Sequence, residues 1–354
     1  MLLALATLLA SRAQATGPTL VMGVLSKNTV WTAAGNPYMV QGDLVIPKDI
    51  TLTIEPGCDV RLEPTGSFDT SESGTTGTDI VVQGTLKARG TAETPISFSS
   101  TSGEKRWGAI YFGAPTLSDL AFAYVLNGKV ICNGSSPEIT HCCVYGGGGI
   151  EVGHGSNPTI TGCVLDKNTT GLLYWFPTSG GLVEGNKIFR NRYGVYVKEF
   201  SSITMMRNAI YDNTDYNLCN LSSQHAVDVR GNWWGTTFPL AVEQRIYDGR
   251  KKEGLGWVVL SPLLEQEVAV ALLAPPPFLQ SNVPVLSGIP MTPATPMLPP
   301  QGLLTAPLGN PPPPDPALDP VKTKSGKVKS EMSAPVTPTP TPEPEDAGPW
   351  KSRW

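Results

Sequence analysis

Residues 183–191, with the sequence VEGNKIFRN, contain the pattern that decides the fold. The position of Asn186 recurs along the chain with steps of 21, 23, 22 and 24 residues. Its members are Cys142, Cys163, Asn186, Asn208 and Asn232. An apolar residue stands three positions before each member, and another stands two positions after it. A repeat of about 22 residues indicates stacked units, each burying an apolar edge against its neighbours.

A second set of asparagines follows the first at a constant distance. Asn168, Asn191 and Asn213 each stand five residues after a member of the first column. Asparagine tolerates the left-handed backbone of tight turns, and its amide can bond to the coils above and below. We therefore interpret both columns as structural ladders rather than as a binding site.

The apolar residues within each unit favour short strands. They form β-branched alternations such as 150–152 (IEV) and 195–197 (VYV), separated by Gly, Asn, Asp and Ser. A unit of this length is too short for two packed helices and lacks the leucine pattern of a horseshoe repeat. Three strands per unit, wound into one coil, predict an all-β fold, a parallel β-helix. The one helix candidate follows Pro239, a residue suited to a first helical turn.

These features resemble the secreted right-handed parallel β-helix repeat proteins, a group within the pectin-lyase-like superfamily. The resemblance is carried by residues 51–57 (TLTIEPG), 84–91 (GTLKARGT), 107–112 (WGAIYF), 231–235 (GNWWG) and 245–249 (RIYDG). It spans roughly residues 42–264 and implies the fold. It leaves the function open, because this superfamily includes lyases, hydrolases, epimerases, adhesins and scaffolds.

The composition divides the chain into five parts. Residues 1–15 read as a signal peptide, since an apolar run precedes the small-residue motif AQA at 13–15. Residues 16–50 are interpreted as an N-terminal capping segment, 51–230 as the β-helix and 231–265 as a C-terminal cap. Residues 266–354 are rich in proline, which favours extended polyproline II and predicts a disordered tail. We expect a secreted or cell-envelope-associated protein with no membrane span after signal removal, because no later apolar run reaches about 18 residues.

The closing motif has a structural role in this interpretation. The last coil of a solenoid exposes its apolar interior and a row of unpaired strand groups. We expect Trp233, Trp234 and the short helix after Pro239 to cover both.

Charge and cysteine spacing predict neither a nucleic-acid partner nor a metal site. The 26 basic and 30 acidic residues nearly balance, so no field suited to a polyanion is implied. The six cysteines and three histidines show no metal-ligand spacing, and no cofactor is predicted. Cys142 and Cys163, in adjacent coils, could form a disulfide or remain two small buried thiols.

A catalytic site on this scaffold would need paired acids. Glycosidase carboxyls stand about 5–9.5 Å apart, so two acids should share one column of nearby coils. The outward columns hold at most one acid each: Tyr145, Asp166, Phe189 and Tyr211 in one, Glu151, Leu173, Tyr196 and Leu218 in another. The best catalytic candidates are therefore Asp166, Arg190 and Asp212, drawn from neighbouring columns. They would serve a polysaccharide lyase or glycoside hydrolase acting on an acidic polysaccharide. Calcium is a possible cofactor only under the lyase alternative.

Outward aromatic residues favour binding over cleavage. The glycan-contact candidates are Tyr145, Trp175, Phe189, Tyr193, Tyr196 and Tyr211. The alternative is that these rings only stack along the solenoid for stability. Our leading hypothesis is a secreted or surface-associated module for binding or structural roles, with a polysaccharide or envelope glycan as ligand. A third hypothesis, a resemblance to β-helical factors for copper insertion, is opposed by the scattered His and Met residues, and the oligomeric state stays open.

Overall fold

A computed structural model of the chain describes residues 17–64, 77–199, 201–223, 225–269 and 271–276. The predicted signal peptide and residues 277–354 of the predicted tail lie outside the described residues. Within them, the chain forms short strands with one 3-10 turn (Ala33–Gly35) and one short helix, α1 (Pro239–Gln244). The all-β parallel solenoid predicted from the repeat is confirmed.

The strands follow one another with short turns. The first nine are β1 (Thr19–Val24), β2 (Thr29–Trp31), β3 (Tyr38–Ile46), β4 (Thr51–Ile54), β5 (Asp59–Leu62), β6 (Ile80–Val82), β7 (Thr85–Arg89), β8 (Ile96–Ser100) and β9 (Ala109–Phe112). The next nine are β10 (Asp119–Ala121), β11 (Ala123–Leu126), β12 (Lys129–Asn133), β13 (Glu138–Thr140), β14 (Cys143–Tyr145), β15 (Gly149–Gly153), β16 (Thr159–Thr161), β17 (Val164–Asp166) and β18 (Thr170–Tyr174). The last nine are β19 (Gly180–Glu184), β20 (Lys187–Phe189), β21 (Tyr193–Val197), β22 (Ser202–Met206), β23 (Ala209–Tyr211), β24 (Tyr216–Asn220), β25 (Val227–Asp228), β26 (Ile246–Tyr247) and β27 (Val258–Val259).

Each full coil contributes one strand to each of three parallel faces. The first face stacks β2, β4, β7, β10, β13, β16, β19 and β22. The second face stacks β5, β8, β11, β14, β17, β20 and β23, and the third stacks β6, β9, β12, β15, β18, β21, β24 and β26. Every strand pairs with its equivalent one coil away, so each face runs along the solenoid axis. Adjacent coils are about 4.8 Å apart along that axis.

The N-terminal strands continue these faces. β3 bends from the second face, where Tyr38–Val40 pair with β5, to the third, where Leu44–Ile46 pair with β6. β1 pairs in parallel with β3, and β2 pairs with β4. The segment 16–50, interpreted from the sequence as a cap, therefore contributes strands to the same stacks.

The core lies inside the three faces and is built from stacked equivalents. On the second face Val144, Leu165, Ile188 and Ile210 pair in register and are fully buried. Burying one such side chain contributes about 1.5–3 kcal/mol relative to leaving it exposed. Because the inward positions alternate with outward ones along each strand, the apolar period of the sequence becomes a continuous column of side chains.

One outward column differs from the sequence expectation. Glu151, Leu173 and Tyr196 align on the third face as predicted, but the next member is Cys219 rather than Leu218. The turn after Asn213 is one residue longer than the equivalent turn one coil earlier, since Tyr193 pairs with Tyr216. A slip of one residue exchanges the two faces of a strand, so Leu218 points into the core instead.

Both asparagine columns form hydrogen-bonded ladders. The Asn186 Nδ2 donates to the Asn208 Oδ1, and the Asn208 Nδ2 donates to the Asn232 Oδ1, each at 2.9 Å. In the other column, the Asn168 Nδ2 donates to Asn191 at 3.1 Å and the Asn191 Nδ2 donates to Asn213 at 3.0 Å. The ladders satisfy buried polar groups that would each otherwise cost about 1–3 kcal/mol.

Two thiols replace amides where the first ladder begins. The Cys163 backbone N–H donates to the Asn186 Oδ1 at 2.8 Å, in the same way as the Asn186 backbone N–H donates to the Asn208 Oδ1. The Cys142 backbone N–H lies 3.4 Å from the Cys163 Sγ, and the Cys142 thiol points at the Leu120 carbonyl oxygen. Both cysteines are free thiols, as are Cys58, Cys132, Cys143 and Cys219. Their place in the stack follows from small size and weak hydrogen bonding.

The C-terminal end of the solenoid is closed by the segment after Gly231. Trp234, Val242 of α1 and Ile246 are buried in the main core. Trp233 forms a parallel bridge with Ala209. β25 and β27 pair next to this closure, and the buried Asp248 carboxylate accepts a hydrogen bond from the Val258 N–H at 2.8 Å.

Replacing Asn208 with alanine should destabilise the fold by about 3 kcal/mol or more, because it removes the acceptor for Asn186 and the donor to the Val183 carbonyl oxygen. Urea unfolding followed by circular dichroism measures the change. Asn157→Ala, at an exposed turn position, is the control and should cost less than about 1 kcal/mol. Equal losses in the two variants would show that the ladder adds no stability.

All six thiols should be unreactive in the folded protein, because they are buried. Burial raises the pKa of Cys143 to about 12, and it raises the pKa of Cys142 well above its usual value. Iodoacetamide at pH 8 should therefore label no cysteine before unfolding. All six cysteines should be labelled after unfolding in guanidinium without reductant, and mass spectrometry counts the labels. Four labels instead would reveal a disulfide.

Candidate functional site on the second face

The second face carries the outward column predicted from the sequence. Tyr145 pairs with Asp166, Asp166 with Phe189, and Phe189 with Tyr211. The three aromatic residues are partly exposed, whereas Asp166 is buried. The Phe189 and Tyr211 ring centroids are 6.0 Å apart. Rigid strands thus hold three rings and one carboxylate in a row along the axis.

The turn that follows these strands presents a second row of side chains. Lys167, Arg190 and Asp212 all have left-handed backbones, with φ of 55°, 54° and 53°. Each immediately precedes a buried ladder asparagine, so the turn geometry that places the asparagine inside the coil also places these residues at the rim. Two members of this row, Arg190 and Asp212, were among the catalytic candidates predicted from the sequence.

Asp166 and Arg190 form a two-point ion pair. The Arg190 Nε donates to the Asp166 Oδ1 at 2.9 Å, and the Arg190 Nη2 donates to the other carboxylate oxygen. The Arg190 side chain is 50% exposed, whereas that of Asp166 is 5% exposed. The hydrogen bond from Arg190 to Asp166, aided by the charge of that carboxylate, raises the pKa of Arg190 against the opposing effect of burial. Asp212 is exposed and does not join this pair.

A C-terminal strap returns along the same face. We define the strap as residues 264–269 and 271–276. It leaves the cap where the Leu264 N–H donates to the Asn232 carbonyl oxygen at 3.0 Å. It reaches as far back as β11, where the Tyr124 hydroxyl donates to the Ala274 carbonyl oxygen at 2.9 Å. The strap therefore crosses the coils in the reverse of chain order.

The strap and the solenoid enclose a groove of about 550 Å³. From the solenoid it is lined by Cys143, Val164, Asp166, Lys167, Lys187, Phe189 and Arg190, and from the strap by Leu272, Leu273, Ala274 and Pro275. Leu273 is buried against the face. The groove thus combines an apolar wall from the strap with charged and aromatic groups from the solenoid, a mixture typical of small-molecule sites.

Cations and rings alternate in and beside the groove. The Lys167 Nζ is 5.5 Å from the Tyr145 ring centroid, and the Arg190 guanidinium carbon is 4.4 Å from that of Phe189. The Lys187 Nζ is 5.1 Å from the Phe189 centroid and forms an ion pair with the strap's Glu267 at 3.1 Å. These contacts lie within the range of cation–π attraction.

The structure divides the aromatic candidates among three places. Tyr145, Phe189 and Tyr211 lie on the second face. Trp175 lies elsewhere, after β18 on the third face, where it meets His154 edge-on at 5.0 Å while His154 stacks on Phe176. The six candidates therefore do not form one platform.

Tyr193 and Tyr196 require a correction. Both rings are fully buried, in a second apolar cluster with Leu173, Cys219 and Tyr247. Their ring centroids are 5.3 Å apart in an edge-to-face arrangement. Neither ring has an exposed face for a sugar, because outward-pointing side chains on the third face are themselves covered.

Lys167, Lys187 and the strap were not among the sequence candidates. Lys167 stands in the same turn row as Arg190, so the column pattern contained a signal for it. Lys187 directly follows the ladder position of Asn186, which also made it predictable as an outward residue. The strap has no such signal, because it does not share the repeat.

The part of the chain that the structure describes holds no group of three or more His, Cys, Asp or Glu side chains placed to bind one metal ion. Among the same residues, no helix has the length and apolar character needed to cross a membrane.

Comparison with known proteins agrees with the architecture. Residues 112–234 match the family model described as the right handed beta helix region. No curated protein and no solved structure matches the chain. The matched residues include β14, β17, β20 and β23, which carry the aromatic column. The resemblance to pectin-lyase-like β-helix repeat proteins is therefore confirmed for the fold.

Arg190→Met should destabilise the protein more than Asp166→Asn. The first change leaves a buried carboxylate without its cation, which we expect to cost about 1–3 kcal/mol. The second leaves a half-exposed guanidinium that water can solvate, and should cost about 1 kcal/mol or less. Urea unfolding at pH 7 of both single variants and the double variant measures these changes. The double variant should recover part of the Arg190→Met loss, and strict additivity would contradict the pairing.

Proposed function

We propose that this protein is a β-helix binding module whose ligand is a glycan bound in the groove on the second face. The observation that carries the proposal is the composition of that groove. The partly exposed ring of Phe189 lines the groove with Lys167 and Arg190. Tyr145, two coils away in the same outward column, lies against Lys167 on the same rigid sheet. A sugar ring presents apolar C–H faces and polar hydroxyls, and this alternation of rings and charged groups suits both.

Preorganisation supports the proposal. The ladders and the core hold the strands, so the rings keep their spacing without a ligand. A chain of sugars lying along the axis would meet one coil every 4.8 Å or so. Binding to a prepared surface avoids much of the ordering cost that weakens flexible sites.

The charges favour binding over cleavage by a glycosidase. Hydrolysis needs two carboxyls about 5–9.5 Å apart. Among the described lining residues, Asp166 is the single acid, and it is already paired with Arg190. The sequence candidates Asp166 and Arg190 thus meet as an ion pair, while Asp212 stands outside the lining residues.

A lyase mechanism is disfavoured by proton affinity. A lyase needs a side chain that is deprotonated near neutral pH, so that it can accept a proton from the substrate. The pKa of Arg190 is raised by its bond to Asp166. For Lys187, burial acts to lower the pKa, but hydrogen bonds to Tyr211 and Glu267 outweigh it and raise the pKa. Both shifts keep the proton on the side chain.

We further propose that the module acts outside the cytoplasm, at the cell envelope or beyond it. The apolar run and the AQA motif at the N-terminus support this placement. An envelope glycan or an environmental polysaccharide would then be the partner. Secretion can be tested separately, by fractionation of cells expressing the full chain.

A glycan array with the full chain tests the proposal. Tyr145→Ala and Phe189→Ala should each weaken binding about tenfold, corresponding to a loss of about 1.4 kcal/mol. Phe238→Ala is the control, since Phe238 is 73% exposed at the start of α1 and is not among the groove-lining residues. Thermal unfolding should show that all three variants remain folded.

Three outcomes decide between the hypotheses. Loss of binding in Tyr145→Ala and Phe189→Ala but not in the control supports the module. Equal binding in all variants would defeat the groove as the site. Release of reducing ends or of unsaturated products from an acidic polysaccharide, abolished by Asp166→Asn, would establish the enzyme alternative instead.

A further inference from the structure

The strap places a carboxylate where a ligand group would bind. The Glu267 Oε1 is 3.1 Å from the Lys187 Nζ, and the Tyr211 hydroxyl donates to the other Glu267 oxygen at 3.4 Å. The Lys187 Nζ is also 5.1 Å and 5.3 Å from the Phe189 and Tyr211 ring centroids. One ammonium group therefore stands between two rings and binds a carboxylate that comes from outside the repeat.

These groups have the chemistry of a subsite for an acidic sugar. An ammonium supplies a strong, charge-assisted hydrogen bond to a carboxylate. The flanking rings supply flat surfaces for the sugar ring that carries it. Lys187 and Phe189 line the groove and Tyr211 is the next member of the same column, so a ligand in the groove would reach all three.

We propose that Lys187, Phe189 and Tyr211 form a carboxylate-binding subsite, and that Glu267 occupies it as an internal competitor that an anionic ligand must displace. This inference rests on the proposed function. It adds the chemical class of the ligand, a carboxylate-bearing glycan, and a means of control, the displacement of Glu267 from Lys187 while residues 272–275 keep their place in the groove wall.

The contacts of the strap favour displacement. The described strap residues form no strand, so the hydrogen-bonded stacks do not include them. The ion pair of Glu267 with Lys187 is partly exposed, with side-chain exposures of 36% and 26%, and pairs of this kind contribute at most about 1 kcal/mol. Leu273 and Pro276 are buried, and the Tyr124 hydroxyl donates to the Ala274 carbonyl oxygen, so the far end of the strap is anchored. Glu267 is exposed, so its end of the strap can move away from Lys187 at a lower free energy than the core needs to open.

The charge balance in the groove points to the same class of ligand. Among the lining residues, Lys167, Lys187 and Arg190 bring three positive charges and Asp166 brings one negative charge. Glu267 adds a second negative charge through its ion pair with Lys187, and its displacement leaves three cations beside one carboxylate. Opening thus strengthens the attraction for an anion at the same position.

Glu267→Gln in the full chain tests the proposal, with Glu265→Gln as the matched control. Glu265 is an exposed residue of the same strap. Isothermal titration with trigalacturonate should show about threefold to fivefold tighter binding for Glu267→Gln than for the wild type. Glu265→Gln should match the wild type, and Lys187→Met should lose binding in either background. Maltotriose, a neutral trisaccharide, should show no gain in Glu267→Gln.

A second measurement does not depend on any ligand. Amide hydrogen exchange of the strap around residue 267 should be about threefold to fivefold faster in Glu267→Gln than in the wild type or Glu265→Gln. Unchanged exchange, or unchanged affinity for trigalacturonate, would overturn the internal competitor. If the array detects neutral glycans while trigalacturonate binds to no variant, the carboxylate subsite fails and the glycan module stands. If neither experiment detects a glycan, both fail.

Discussion

Every coil of this protein must satisfy its buried polar groups against the coil above and the coil below. The asparagine ladders meet that constraint, because each amide accepts from one neighbour and donates to the other. The requirement forces equivalent residues into register, and register in turn stacks the apolar columns of the core. Where cysteine replaces asparagine, the thiol keeps the position and part of the bonding. In the coils from Cys142 to Asn232, strand pairing, core and surface share the register that this repeated contact requires.

The same constraint determines what the surface can do. A ladder asparagine lies inside the coil only if the preceding residue adopts a left-handed backbone, which places Lys167 and Arg190 at the rim. The alternation of the strands then places Tyr145, Asp166 and Phe189 outward in one row. Aromatic rings and charges come together here as a consequence of folding. The proposed ligand would contact side chains that the requirements of folding have already placed.

The strap changes the character of that surface. Without it, the second face would be an open sheet with a row of rings. With it, the face becomes one wall of a groove, and the charged groups are partly shielded from water, which strengthens their interactions with a ligand. The strap also brings the acid that pairs with Lys187. Access to this face therefore depends on a segment that is not part of the repeat.

The sequence by itself determined the period, the strands, the ladders and the closing segment, since all of these involve equivalent residues one coil apart. It also identified Asp166 with Arg190, because adjacent columns follow from the same register. The tertiary structure alone decided that Tyr193 and Tyr196 are buried, that Cys219 replaces Leu218 in the outward column, and that a strap forms the groove. The physical reason is that a contact between residues far apart in the chain leaves no periodic signal in the sequence. The Tyr124 hydroxyl and the Ala274 carbonyl oxygen are 150 residues apart, and no repeat relates their positions.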